Sequence, residues 1–203
     1  MSPIIILANV VIEISHAGAP AVLGQKRSRL LAVRRKGTPM SIDPYHLRSC
    51  VIGPVLAHLG LPRARDAEEL LMLTAAQETH MGRWLRQNVG KGSANGVGRG
   101  IYSIEPTTHR DLRFKYEDTP LILKVDRFRA HEASLNDNLV WNLAYSTAIA
   151  RLKYYSIKAP LPKHTDYQGM AEYWDKYYNG NPDHGFPEDA IMNYHRFVTA
   201  GGI

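Results

Sequence analysis

Apolar positions recur at helical spacing over most of the chain, and they change character near Met40. Before that point Pro3–Ile14 is a run of β-branched and aliphatic residues, a composition that favours a strand. After it the pattern turns to amphipathic helices. Asp43-Pro44 is a helix start, a capping side chain followed by proline in the first turn. This helix is expected to reach about Leu59, bend at Pro54 and stop at Gly60. Asp66 and Glu69 form a capping-box-like pair that opens a helix over about 66–87. Residues 88–100, NVGKGSANGVGRG, hold five glycines in thirteen positions, and Ile101–Ile104 has the composition of a short strand. Pro106 to about Lys115 and Pro120 to about Ala130 read as helices. Ser134–Ile157 reads as one long helix with Val140, Trp141, Ala144, Tyr145, Ala148, Ile149 and Leu152 on its apolar side. Tyr167–Tyr178, closed by Gly180, and Pro187–Val198 complete a mainly α domain over 40–203 with a small Gly-rich, β-containing insertion.

Charge separates the two parts further. Of 25 basic and 19 acidic residues, six and one lie in 1–39, so that arm carries +5 of the net +6. A general nucleic-acid-binding surface on the helical domain is therefore not indicated. The arm reads as an apolar strand-like segment followed by a basic stretch, which fits a solvated tail as well as an arm for a partner's sheet edge, an acidic protein surface or DNA. No Lys or Arg precedes its apolar run and Glu13 interrupts the end, which argues against a cleaved signal peptide. No run of about 18 apolar residues is present, so no membrane span is expected. The single cysteine, Cys50, excludes a disulfide framework. It falls within an expected helix and reads as a small core residue.

Chemistry concentrates in 70–85, LLMLTAAQETHMGRWL. At helical spacing Leu71, Ala75, Glu78, Gly82 and Leu85 share one stripe, which places a carboxylate on an apolar face. Burial disfavours the charged form and keeps a proton available near neutrality, as a general acid requires. A surface Glu78 paired with Arg83 or Arg86, or simply solvated, fits the periodicity as well. His80 and His109 are near enough in sequence to line the same site. A zinc H-E-x-x-H motif is absent, and Gly90-Lys91-Gly92-Ser93 lacks the earlier glycine of a phosphate loop, since position 85 is leucine. Neither metal nor cofactor is expected.

Three patches, in order, resemble the lysozyme-like fold of soluble lytic transglycosylases and goose-type lysozymes. Ala76-Gln77-Glu78-Thr79-His80-Met81-Gly82 is similar to the family's helix with its catalytic Glu, Thr79 replacing the usual Ser. Gly100-Ile101-Tyr102-Ser103 lies where the family has Gly-Leu-Met-Gln, with Ser103 in place of the Gln. Tyr177-Tyr178-Asn179-Gly180 resembles the family's Ala-Tyr-Asn-Ala-Gly patch, and Asn138–Tyr155 its long central helix. Phage-encoded members share an extended second patch, here through Glu105-Pro106-Thr107-Thr108-His109, and the Trp174…Tyr177-Tyr178-Asn179 ending.

The resemblance covers roughly 40–200. It implies cleavage of the β-1,4 bond between N-acetylmuramic acid and N-acetylglucosamine in peptidoglycan, with Glu78 as the acid. It further implies that Thr79 orients Glu78, that Tyr178 lies near the acid, and that Ile101, Tyr102, Ser103, Tyr145 and Asn179 bind the glycan strand. Glu105 is the candidate second carboxylate, against a reading as the cap of the following helix. The implied setting is a phage virion, acting on the host wall during genome ejection, with residues 1–39 joined to other virion proteins. The alternative is a tail or capsid protein that keeps the fold with weak or no catalysis, a reading favoured by the Ser103 departure.

Overall fold

The computed structural model describes residues 41–86, 96–179 and 186–200. The arm at 1–39, most of the Gly-rich segment and the Gly180 stop lie outside these residues. The described chain is mainly helical, in the order α1 (Pro44–His46), a π-helical turn (Leu47–Ile52), α2 (Gly53–Leu59), α3 (Ala64–Thr79), α4 (Pro106–Tyr116), α5 (Pro120–Asp126), α6 (Leu135–Trp141), α7 (Leu143–Tyr155), α8 (Tyr167–Trp174), a π turn (Asp175–Asn179), α9 (Pro187–Tyr194) and a last π turn (His195–Thr199).

The first helical stretch begins and ends as its residues dictate. The Asp43 carboxylate accepts from the His46 N–H at 2.9 Å. Gly60 closes α2 with φ at 65°, a left-handed turn that glycine adopts without steric cost. The bend expected at Pro54 is a widened turn just before it. Proline has no N–H to give and its ring crowds the carbonyl four residues back, and Gly53 donates instead to Arg48 O, five residues back. Cys50 sits on this turn and is exposed, not in the core as expected.

α3 and α7 form the centre. Nine of the 16 residues of α3 are buried, including every one from Leu70 to Ala76. Nine of the 13 residues of α7 are buried too. A helix buried all round is covered on every side, and α3 packs against α2, α7, α8 and α9. The single apolar stripe read from the sequence understates this.

Three expectations are corrected. The Asp66/Glu69 capping box does not form. Arg63, not Asp66, occupies the cap of α3; Asp66 accepts from the His164 N–H at 2.7 Å, while Glu69 pairs with Arg48 and accepts from the Tyr194 hydroxyl. The helix expected over 134–157 is two helices, because the Asn142 side chain caps α7 by accepting from Tyr145 N–H at 3.0 Å and its amide donates to Phe128 O at 2.7 Å. Short polar side chains that satisfy backbone groups in this way compete with helix continuation. The β content at Ile101–Ile104 reduces to isolated bridges, Arg86 with Arg99 and Arg99 with Ile104.

The break between α6 and α7 admits the loop that carries the second sequence patch. Gly100, with φ at 71°, lies so close to α6 that a Cβ there would stand 1.8 Å from Leu139 O. Only glycine fits, and this contact sets where Ser103 and Glu105 emerge. No helix among the described residues is long and apolar enough to cross a membrane.

Candidate active site

Glu78 lies in the last turn of α3. The helix ends one residue later because His80, Met81 and Gly82 all take left-handed conformations, with φ of 51°, 59° and 79°. This tight reversal removes Gly82 from the stripe on which helical spacing places it. Thr79 holds the reversal together. Its hydroxyl donates to Ile101 O at 2.8 Å and accepts from Gly82 N–H at 2.9 Å. Thr79 thus ties the end of α3 to the Gly100 loop; its hydroxyl bonds Ala75 O, Ile101 O and Gly82 N–H, not Glu78.

The Glu78 carboxyl forms part of the floor of a cavity of about 410 Å³, lined also by Ser103, Glu105, Thr108, Lys153, Tyr177, Tyr178 and Asn179. Glu78 is half-buried: it is open to the cavity and crowded by protein elsewhere. Trp174, at the end of α8, donates its indole N–H to Glu78 Oε1 at 2.9 Å. Indole can only donate, so Oε1 is the carbonyl-type oxygen and a proton on the acid resides on Oε2. Desolvation pushes the Glu78 pKa up to about 7, against smaller opposing effects of the Trp174 bond and the Lys153 charge. The position adds to this, because the negative end of the α3 dipole also disfavours a carboxylate.

Lys153 reaches the cavity from α7. Its ammonium donates to Tyr178 O at 2.8 Å and sits over the Tyr178 ring, 3.6 Å from the centroid, a cation–π geometry. Burial lowers its pKa to about 8, while the charges of Glu78 and Glu105 pull the other way. Tyr178 is held by its own hydroxyl, which donates to Tyr102 O at 2.8 Å.

Of the residues singled out in the sequence, Glu78, Ser103, Glu105, Tyr178 and Asn179 meet at this cavity. Ile101, Tyr102 and Tyr145 do not. All three side chains are fully buried in the core. Tyr102 contributes its carbonyl to Tyr178 and its hydroxyl to a bond with Thr147, and Tyr145 bonds His109 Nε2 at 2.9 Å and Arg113 at 3.1 Å. His109 and His80 are also elsewhere: His109 is buried against Tyr145, and His80 stacks on Phe197 at 4.7 Å. Glu105 occupies the cap position of α4, yet its side chain makes no capping bond; it is exposed and lines the cavity instead. Arg86 lies 3.7 Å from Asp137, not at Glu78.

Lys153 and Trp174 were not foreseen as members of the site. Lys153 had a signal, a lysine four residues after Ile149 on a helix face otherwise filled with apolar residues. Trp174 had only its place in the ending that resembles the phage-encoded members. Among the described residues, no group of three or more His, Cys, Asp or Glu stands together as a metal site. No protein-family model, no curated protein and no solved structure matches the chain.

Proposed function

We propose that this chain cleaves the β-1,4 bond between N-acetylmuramic acid and N-acetylglucosamine in peptidoglycan, as a lysozyme-like lytic transglycosylase, with Glu78 as its acid and base. The observation that carries the reading is a half-buried carboxyl that lines a polar cavity and is held by the Trp174 indole, where burial pushes its pKa up to about 7. Such a group holds a proton for a leaving oxygen at neutral pH and accepts one afterwards. The convergence of the three sequence patches adds to it, since Glu78, Ser103 and Tyr178-Asn179 come from distant parts of the chain to one cavity.

In the proposed reaction the C1–O bond breaks, its electron pair goes to the leaving oxygen, and that oxygen takes the proton of Glu78. The sugar's own 6-hydroxyl oxygen then bonds to C1 and its proton returns to Glu78, leaving a 1,6-anhydro end. One carboxyl suffices. Glu105, on the same cavity, would be needed only if water were the acceptor. In the proposed setting the enzyme is carried in a phage virion through residues 1–39 and opens the host wall locally during genome ejection.

The test is a digest of purified peptidoglycan by the wild-type chain and by Glu78→Gln, with the fragments resolved by mass spectrometry. Anhydro ends from the wild type, lost in the variant, are expected. No cleavage by the wild type overturns the enzyme reading and favours a virion structural protein with this fold, which mass spectrometry of purified particles would reveal. Reducing ends would make it a hydrolase.

A further inference from the structure

Lys153 stands where two cavities adjoin. The cavity over Glu78 and a second of about 280 Å³ share Thr108, Lys153 and Tyr177 in their walls. A lysine at such a place would ordinarily extend to solvent. This one is held back by the Tyr178 carbonyl and the Tyr178 ring, and Tyr178 is itself fixed by its bond to Tyr102 O. The ammonium is therefore built into the wall and cannot leave without breaking two contacts.

The groups around Glu78 are of three kinds. Trp174 on α8 supplies one N–H. Tyr154 on α7 and Tyr178 on the following turn are neutral, with their own ionisation suppressed by burial and by the Glu78 charge. Lys153 is the cation that acts on Glu78. Glu105, exposed at the start of α4, acts on the same lysine from across the cavity.

We infer that Lys153 is a positioning residue for the acid: its fixed ammonium receives the negative charge that Glu78 acquires when its proton passes to the leaving oxygen, and releases it when the proton returns. This rests on the reading of Glu78 as the general acid. Lys153 acts in its protonated form, the main one below its lowered pKa of about 8, and need not touch the scissile bond. Without it, the carboxylate formed in a desolvated site would have, among the described residues, the Trp174 N–H alone to stabilise it, and proton release would be uphill. The lysine thus separates two needs that conflict at a buried acid, keeping a proton at neutral pH and still being able to give it away.

The test measures the coupling in both directions on the full chain, without substrate. Carbon NMR follows the Glu78 carboxyl in the wild type, Lys153→Met and Lys153→Arg; nitrogen NMR follows the Lys153 ammonium in the wild type and Glu78→Gln. Coupling free energies are reciprocal. Lys153→Met is expected to raise the Glu78 midpoint by about one pH unit or more, and Glu78→Gln to lower the Lys153 midpoint by a similar amount, each tenfold in the respective equilibrium. Lys153→Arg should hold Glu78 within about half a unit. In a peptidoglycan-solubilisation assay, the basic limb of the Lys153→Met pH profile should move up with the Glu78 midpoint while its maximum falls roughly tenfold. A Glu78 midpoint unmoved in Lys153→Met overturns the inference. Should that variant not fold, an unmoved Lys153 midpoint in the near-isosteric Glu78→Gln overturns it equally. Reciprocal shifts in a chain that cleaves no peptidoglycan support the coupling and overturn only the substrate reading.

Discussion

Replacing Glu78 with glutamine should make the protein more stable and less active at the same time, and only in a defined pH range. Glutamine keeps the shape, and its amide oxygen can still accept from Trp174 Nε1. What it removes is the ionisable proton. The Glu78 pKa is raised from 4.5 to about 7, and each unit corresponds to about 1.36 kcal/mol. The ionised side chain therefore costs the folded state up to about 3 kcal/mol. The favourable Lys153 charge is already part of that shift, so the net stabilisation in the variant is up to about 3 kcal/mol. For a chain of this length that is roughly 6–12 °C in Tm.

The sign follows from linkage. Below pH 4.5 Glu78 is protonated in both folded and unfolded states, and the variant has no advantage. Between 4.5 and about 7 the unfolded chain ionises while the folded chain cannot, so wild-type stability falls relative to the variant. Above 7 the Glu78 part of the difference is constant. His109, lowered to about 4, titrates in part of this window but is common to both proteins and cancels. Lys153, lowered from 10.5 to about 8, contributes its own slope above pH 8 in the wild type and from a lower pH in the variant, where the Glu78 charge is gone, which adds to the variant's advantage. Urea denaturation of both proteins at pH 4 and pH 8 measures the effect, and wall-cleaving activity in the same samples should fall about 10²–10⁴-fold. A variant less stable than wild type at pH 8, or a difference that does not shrink at pH 4, would refute the reasoning.

Three further outcomes are expected. Glu105→Gln should lower peptidoglycan cleavage less than about tenfold, because Glu105 is exposed and one carboxyl carries general acid–base catalysis; a loss equal to that of Glu78→Gln would instead indicate a two-carboxylate hydrolase. Thr79→Val keeps the volume but leaves Ile101 O and Gly82 N–H without their hydroxyl partner, at about 2 kcal/mol, measurable as a lower urea midpoint. Gly100→Ala drives a methyl to 1.8 Å from Leu139 O, so it should cost at least about 3 kcal/mol and shift Ser103 and Glu105 together; a wild-type melting curve would show that the loop is not pinned there.

Local signals were legible where their partners are local. Asp43 and Gly60 act within a turn of their own helices, and both the start and the stop followed from them. Asp66 and Glu69 look just as strong as a local pair, but His164, Arg48 and Tyr194 take their carboxylates from far along the chain. Asn142 was read through as helix because its neighbours are apolar at the right spacing, yet its side chain outcompetes the helix for two backbone groups. At the site, helical spacing fits a buried or a solvated Glu78 equally, and it is the resemblance to the family's helix that singles the residue out. Trp174, 96 residues away, could not be paired with it by periodicity. Ile101 and Tyr102 fell on the right loop but face the core, since alternation along four residues does not determine which side of a turn is buried.

Tyr154 and Tyr178 beside Glu78, with Tyr102 tied to Tyr178 in the core, explain why the acid keeps its proton beside these hydroxyls. Thr74 has one hydroxyl hydrogen and gives it to Leu70 O at 2.7 Å, so the 2.7 Å contact between Thr74 and Tyr154 is a donation from Tyr154. By the same count Thr147 donates to Leu143 O at 2.7 Å, and Tyr102 donates to Thr147 at 3.1 Å. Tyr178 donates to Tyr102 O. All three tyrosine protons are committed to other acceptors, and the rings present apolar surface. A carboxylate needs two or three donors to be comfortable out of water; Glu78 has the indole N–H and a lysine charge. The belt therefore does two things with one set of side chains. It satisfies its own buried hydroxyls, which would otherwise cost about 1–3 kcal/mol each, and in doing so it withholds from Glu78 the hydrogen bonds that would turn a proton donor into an inert anion.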